Sequence, residues 1–412
     1  MTLPLDGLRV VDFSRVLAGP HCGKLLLDLG AEVIKVEPPM GDLSRMAQPA
    51  VGAITGYFAQ QNAGKRAISV DLNVPESRDV IRNLCDAADV IIENFRPGSL
   101  ESFGLGYDDV SAGNPGIVYA SISGYGQHGS WRSRMAYAPT IQAESGFTRN
   151  THNQFGVEGV ADGRTDSLSH ADVYSGLHAT IAVLAALRHR ASTGEGQHID
   201  IAMASVITSV NERVHVDLSD VDLGDEAVVL GATDIPFFTS PEGDQFALSM
   251  SLTGTRMFDF YCHAMRRPDL KDDPRFLTPT LRRQNFSELR EIVQTWIWTF
   301  KDMAALDAQL DEAKLASGRL RDIREFADTE WAKSWVTTRE VPDRAGGSFT
   351  IPAPPWHFSR HDGSLGCQEP AQQGEHNVEV LRELGYDDAD IEKLYKLNAL
   401  VEPGRIDGAP LS

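Results

Sequence analysis

The sequence is short of the features that define several large classes of protein. No unbroken apolar run is long enough to cross a membrane. Its beginning, Met1-Thr-Leu-Pro-Leu-Asp, has no basic stretch followed by an apolar core, so no secretory signal is expected. Cysteine is scarce. The four residues (Cys22, Cys85, Cys262, Cys367) lack metal-ligand spacing and read as reduced thiols in a cytoplasmic protein with no metal site. Positive charge is in deficit. Lys and Arg total 38 against 58 Asp and Glu, for a net charge of −20, which argues against nucleic acid and anionic membranes as partners. Any anionic ligand must therefore be held by a local basic cluster. Nucleotide and hydrolase fingerprints are also missing: there is no G-x-G-x-x-G after the first strand, no Walker A loop, no G-x-S-x-G elbow and no H-E-x-x-H helix.

What is present reads as a soluble globular chain, 42% hydrophobic and 23% charged, long enough at 412 residues for two or three domains. Short β-branched runs predict strands over 7–13, 31–37, 66–71, 89–95, 116–123 and 196–202. Helices are predicted between them, one opened by Pro20 and ended by Gly30, another over 75–88. Alternation of this kind is the start of an α/β fold with a parallel sheet. In such sheets the ligand crevice lies beyond the carboxyl ends of the strands, which points to residues 14–19, 35–39, 71–73, 94–98 and 124–127.

Residues 169–188 form the most informative stretch. Leu177, Ile181, Leu184 and Leu187 recur at helical spacing and alanines fill the rest, so a helix buried on most sides is predicted. Arg188 and Arg190 suit its last turn and Gly194 lies just beyond. Asp172 then falls in the first turn, fixed and partly desolvated. An aspartate there is also an ordinary helix-stabilising device, so it takes its meaning from the rest of the chain. Beyond residue 216 the character changes. An acidic stretch over 216–230 is followed by short strands and amphipathic helices, including one over 287–300, which read as a smaller α+β domain. The expected organisation is a first domain segment over 1–215, a small domain with its linker over 216–330, and a return segment over 331–412. In that return segment the helix from Asn377 ends in a Gly385 cap.

Several blocks taken together resemble one family. They are Leu5-Asp-Gly-Leu-Arg-Val-Val-Asp-Phe-Ser-Arg-Val-Leu-Ala-Gly-Pro20, Leu29-Gly-Ala-Glu-Val-Ile-Lys-Val-Glu37, Asn62-Ala-Gly-Lys-Arg66, Glu93-Asn-Phe-Arg-Pro-Gly98, Ser123-Gly-Tyr-Gly126, Asp172 with Gly176, and Thr193-Gly-Glu-Gly-Gln197. The chain resembles the class III coenzyme A transferases, a group that includes formyl-CoA transferases, carnitine CoA-transferases and α-methylacyl-CoA racemases. The likeness is strong from residue 3 to about 205 and weaker to about 400. It implies a Rossmann-like large domain, a smaller domain, and two ring-like chains interlocked as a homodimer. It implies no permanently bound cofactor. The substrates would be an acyl-CoA thioester and a small carboxylic acid. Asp172 falls on the family's catalytic aspartate, which forms a mixed anhydride and then an aspartyl-CoA thioester.

Val16, Ala18, Val70, Asp71, Leu72, Asn73, Asn94, Phe95, Arg96 and Tyr137 match positions that line CoA in the family. Leu17 stands where formyl-CoA transferases use a glutamine, and Pro38, Ser102 and Met135 where they use basic residues. Arg15, Lys35 and Arg134, with Arg45, Lys65 and Arg96, are the cations available for the CoA phosphates. The glycine-rich loop of formyl-CoA transferases is missing near residues 230–236, which argues against formyl-CoA and oxalate. Racemisation would need a second base, and Tyr137 holds the racemase histidine position. A phenol with an ordinary pKa of about 10 is a poor base there. His128, His152, His170 and His178 lie off that motif. Arg149, Arg164 and Arg256 are further candidates for an acceptor carboxylate, with nothing to rank them.

Overall fold

Val10 and Val11 are both buried yet belong to different cores, because successive side chains of a strand point to opposite faces. They lie on β1 (Arg9–Asp12), in the interior of a six-stranded sheet. The structure is a computed structural model that describes residues 3–51, 54–149, 168–212, 214–219, 236–360 and 368–403. The acidic stretch beyond 219, the 230–235 loop, His152, Arg164 and Cys367 lie outside these residues. After β1 come α1 (Ala18–Asp28), β2 (Glu32–Glu37), α2 (Gly56–Asn62), β3 (Arg66–Ser69), α3 (Pro75–Asp86), β4 (Val90–Glu93) and β5 (Val118–Ser123). They are followed by α4 (Ala138–Glu144), α5 (His170–Thr193), β6 (Gln197–Ala202), α6 (Met203–Val210), α7 (Asn377–Glu383) and α8 (Asp388–Lys396).

The strands lie in the order β3-β2-β1-β4-β5-β6, and every pair is parallel. This is the doubly wound order, with its reversal between β1 and β4. The predicted strands are all found, shortened at their ends. Pro20 lies inside the first turn of α1, which begins two residues earlier. One face of the sheet is covered by α3, α7 and α8, with Ile81, Leu84, Leu381 and Leu394 packed on Val11, Ile34 and Ile91. The other face is covered by α1, α5 and α6 over Val10, Val33, Val90 and Ile92.

Burial of α5 corrects the expectation from its leucine spacing. Its buried stripe is Ala171, Ser175, Gly176, Ala179, Thr180, Val183 and Ala186. Leu177 is 37% exposed and Ile181 63% exposed, while Leu184 and Leu187 are half-buried. Small side chains are on the inner face because α5 lies very close to α1. A Cβ on Gly176 would sit 2.6 Å from the carbonyl oxygen of Ala18. A periodic pattern of leucine and alanine does not say which of the two sets faces inward.

The chain divides into two compact units, Met1–Asn211 with Trp331–Ser412, and Glu212–Glu330. The second unit carries a three-stranded antiparallel sheet with Gln245–Leu248 between Phe237–Thr239 and Ser317–Arg319. Helices over Thr255–Ala264, Phe286–Ile297 and Met303–Glu312 enclose its own core of Phe246, Phe258, Tyr261, Leu289 and Val293. In the first unit the return segment latches onto the end of β3. Asp71 N–H donates to Ala399 O (3.0 Å), Val401 N–H to Ser69 O (3.1 Å), and Ser69 N–H to the Asn377 side-chain oxygen (2.8 Å). Among the described residues no helix is long and apolar enough to cross a membrane, and no group of three or more His, Cys, Asp or Glu could hold a metal ion.

Candidate active site

The loop after β1 carries residues 14–18 and is held from below by buried charges. Asp12 ends the strand, fully buried, and accepts from the Ser14 backbone N–H (3.0 Å) and hydroxyl. Its other oxygen meets Lys65 Nζ at 2.8 Å, and Lys65 also donates to Pro20 O (2.9 Å). Lys35 on β2, 1% exposed, donates to Ser14 O (2.8 Å) and pairs with Asp42 (2.8 Å). Asp42 in turn accepts the N–H of Val16 (3.2 Å). Burial alone would push the Asp12 carboxyl up, but Lys65 and then Lys35 outweigh it and hold it below its ordinary range. From the other side, Asn94 accepts the Arg15 N–H (2.8 Å) and donates to Arg15 O (2.9 Å). The loop after β1 is therefore pinned to the loop after β4. Val16 sits at φ 67°, in the left-handed region that a β-branched residue seldom adopts. That strain costs about 1–3 kcal/mol and persists only where surrounding bonds enforce it.

Leu17 and Ala18 follow and start α1. Their N–H groups belong to the first turn, where the helix offers no acceptor. Asp172 lies opposite in the first turn of α5, brought close by the Gly176 contact. No hydrogen bond reaches its carboxylate from any described residue, and burial pushes it up to about 6. Tyr57 on α2 is a neighbour that sequence reasoning missed. Burial, then the Asp172 carboxylate, then Asp42, push its phenol up.

Leu17, Ala18 and Asp172 open onto a cavity of about 310 Å³ at the carboxyl ends of β1, β4 and β5. Its wall holds Asp172 together with Arg15, Val16, Leu17, Ala18, Asn94, Phe95, Arg96, Arg134 and Tyr137. Ile122, Met135 and Met203 add apolar surface, and Arg132 adds a cation that sequence reasoning did not single out. A second cavity of about 260 Å³ shares Arg15 and Phe95 with the first, and is otherwise lined by Val70, Asp71, Leu72, Asn73 and neighbouring residues. Arg15 stacks over the Phe95 ring at 4.7 Å, on the wall common to both. The pair of cavities spans the reversal point of the sheet, where doubly wound folds bind ligands.

A sequence profile of CoA-transferase family III matches residues 5–377. The chain belongs to CoA-transferase family III. It is 32% identical over 401 residues to a succinate–glutarate CoA-transferase of Agrobacterium fabrum, covering 92% of this chain and 96% of that protein. It is 31% identical over 395 residues to a succinyl-CoA:mesaconate CoA-transferase of Haloarcula hispanica, again over 92% and 96%. The crystal structure of Rv3272 from Mycobacterium tuberculosis superposes with a TM-score of 0.76 at 28% identity, covering 92% of this chain and 99% of that one.

Of the matched CoA-lining positions and the cations named with them, all line one of the two cavities except Lys35, Arg45 and Lys65. Lys35 is buried in its pair with Asp42. Arg45 and Lys65 are likewise taken up, Arg45 by Glu37 (2.6 Å) and Lys65 by Asp12. In this family III chain the unspent cations of the site are therefore arginines on the cavity wall. Among the described residues no histidine lines either cavity. His178 is bonded to the Tyr174 carbonyl (2.8 Å), and His170 stacks between Tyr174 and Phe147.

Proposed function

We propose that this CoA-transferase moves CoA from an acyl-CoA thioester to a small free carboxylic acid through covalent intermediates on Asp172. The observation that carries the reading is a desolvated carboxylate with no hydrogen-bond partner among the described residues, on the wall of the same cavity as Leu17 and Ala18 at the start of α1. Such a group is a better nucleophile than an ordinary carboxylate, because desolvation raises its basicity while leaving it ionised at neutral pH. The Asp172 oxygen attacks the thioester carbonyl, the C–S bond breaks, and CoA leaves as thiolate with an acyl-aspartyl anhydride behind it. The thiolate then attacks the aspartyl carbonyl, which releases the first acid and leaves aspartyl-CoA. An incoming carboxylate attacks that thioester and the two steps run in reverse. No proton has to be gained or lost in any step. The N–H groups of Leu17 and Ala18 suit the oxyanions that develop, and Leu17, Ile122 and Met203 limit water, which would hydrolyse the anhydride. Arg15 and Arg96 suit the CoA phosphates, and the Val70–Asn73 cavity suits the adenosine end.

The test is mass spectrometry of the protein after incubation with an acyl-CoA panel and no acceptor. A CoA-sized adduct that hydroxylamine removes is expected on the peptide carrying Asp172. The rate of its formation should rise with pH through about 6 and then level, following ionisation of that carboxyl. An adduct confined to another peptide, or a flat profile across pH 5–8, would count against the reading. The same reading includes a cytoplasmic setting, supported by Cys22, Cys85 and Cys262 as buried free thiols. It also includes an interlocked homodimer, supported by the exposed apolar strip of Leu177 and Ile181 on α5. Ile181→Glu should shift the sedimentation coefficient toward the monomer, and an unchanged dimer would remove that strip from the interface.

A further inference from the structure

Glu93 ends β4 as a buried carboxyl, just before the loop of Asn94, Phe95 and Arg96 that lines the Asp172 cavity. Its Oε2 accepts the Phe95 N–H at 2.8 Å, so the carboxyl holds that loop by its backbone. Asn94 is in turn bonded to both backbone groups of Arg15, so the loop after β1 is tied to the same point. On the neighbouring strand β5, Ser121 pairs in register with Glu93, and its hydroxyl also bonds the carboxyl. Ser121 Oγ lies 2.9 Å from Nε2 of His198 on β6. That imidazole is stacked on Tyr107 (5.1 Å) and meets Tyr119 edge-on (5.6 Å). The other titratable groups that face Glu93 are Tyr119 and the carboxylates of Glu101 and Asp200, both of which disfavour its ionised form. Burial pushes Glu93 up to about 7, against the bonds from Ser121 and Phe95. Burial also holds His198 below its ordinary range, against Asp200, Glu101 and Asp108, so the imidazole is neutral at pH 7.

We infer that Glu93 is a positioning residue for CoA: ionised, it grips the Phe95 N–H and holds Asn94, Phe95 and Arg96 in their binding arrangement, and protonation slackens that grip. The inference rests on the placement of CoA against this loop and is separate from the covalent chemistry of Asp172. An N–H bond to a carboxylate is roughly twice as strong as one to a neutral oxygen. The Ser121 hydroxyl lets the carboxyl exist in either state. With Glu93 ionised, Ser121 donates to it and accepts from His198 Nε2–H. With Glu93 protonated, the carboxyl donates to Ser121, whose own proton turns to the bare Nε2 of the other imidazole tautomer. Neither state leaves a buried donor without an acceptor, so the change is felt at the Phe95 N–H.

Calorimetric titration of the intact protein with free CoA, and no acyl donor, reads this apart from catalysis. Wild type, Glu93→Gln, Ser121→Ala and Arg96→Gln are compared with one another at each pH from 6 to 9. Comparison at one pH is needed because Asp172 and the phosphate monoester of CoA also titrate near 6. Glu93→Gln keeps an acceptor for Phe95 and a donor for Ser121, but stays neutral. It should match wild type within about twofold at pH 6 and bind CoA roughly 3- to 10-fold more weakly at pH 8. Ser121→Ala removes a bond to the ionised carboxyl, so the midpoint at which it begins to bind more tightly than Glu93→Gln should move up by about one pH unit. The inference is overturned by a Glu93→Gln variant that binds within twofold of wild type at pH 8 or more tightly than it there, or by a Ser121→Ala midpoint that stays in place. Arg96→Gln tests the placement itself and should bind CoA more weakly at every pH. If it binds as wild type does, CoA does not lie on this loop and the placement fails together with the inference. If it is weakened while Glu93→Gln is not, the inference alone fails.

Discussion

Asp172→Asn should abolish CoA transfer, by at least roughly 10⁴-fold as expected for loss of a nucleophile, and should make the protein more stable at pH 8. The second effect follows from the first in physical terms. Burial pushes the Asp172 carboxyl up to about 6 in the folded chain, whereas an unfolded aspartate titrates near 3.9. A raised folded value means that folding favours the protonated form. The destabilisation is therefore fully present above pH 6 and fades as the pH falls toward 4. Two pH units correspond to a ceiling of about 3 kcal/mol. Thermal unfolding of both proteins at pH 8 and pH 4.5 checks this. The variant should melt higher at pH 8, and at pH 4.5 the gap should shrink to about a third of its pH 8 value. If Asp172→Asn loses transfer but melts lower at pH 8, desolvation is not the source of the nucleophile's reactivity.

Asp12→Ala should have the opposite effect on stability, a loss of about 3–5 kcal/mol, because it leaves the Lys65 ammonium buried without its carboxylate. Lys65 would keep only the Pro20 carbonyl, and the Ser14 N–H and hydroxyl would lose their acceptor. The loop that places Leu17 and Ala18 would lose its anchor as well, so transfer should fall beyond what stability alone explains. The Asp12 carboxyl is held low by Lys65 and Lys35 against burial, so its contribution is present above about pH 4 and lost as the pH falls below that. Denaturant midpoints of Asp12→Ala, Lys65→Met and the double variant decide the matter. The double variant should recover part of the loss, since it removes both buried charges. A double variant as unstable as the sum of the singles would show that the two groups are not coupled.

The parts of this site legible in the sequence are those coded locally. β1, β4 and β5 are β-branched runs between turn residues, and the loops beyond them fall where a parallel sheet puts its ligands. Asp172 stands at the polar start of a long apolar helix, and its motif partners complete the resemblance. Lys35 lies in the 35–39 segment, where a parallel sheet puts its ligands, and so stands among the candidate cations. Its partner Asp42 comes only after Pro38, Pro39 and a turn, so the pairing is tertiary and leaves no local trace. The leucines of α5 misled for a related reason, since the closeness of α1 is set by Gly176 on one helix and the Ala18 carbonyl on another. Tyr57 and Arg132 reach the site from segments whose direction only the folded chain defines.

The latch of the return segment on β3 bears on how the protein is made. Val70 to Asn73 wall the second cavity, and the backbone beside them is tied to Asn377, Ala399 and Val401. A ribosome delivers those partners last, long after Asp172 and the first loop have emerged. Until then one face of the sheet lacks α7 and α8, and the second cavity lacks its fixed wall. A nascent chain therefore carries its nucleophile through most of synthesis without a finished place for the substrate's other end.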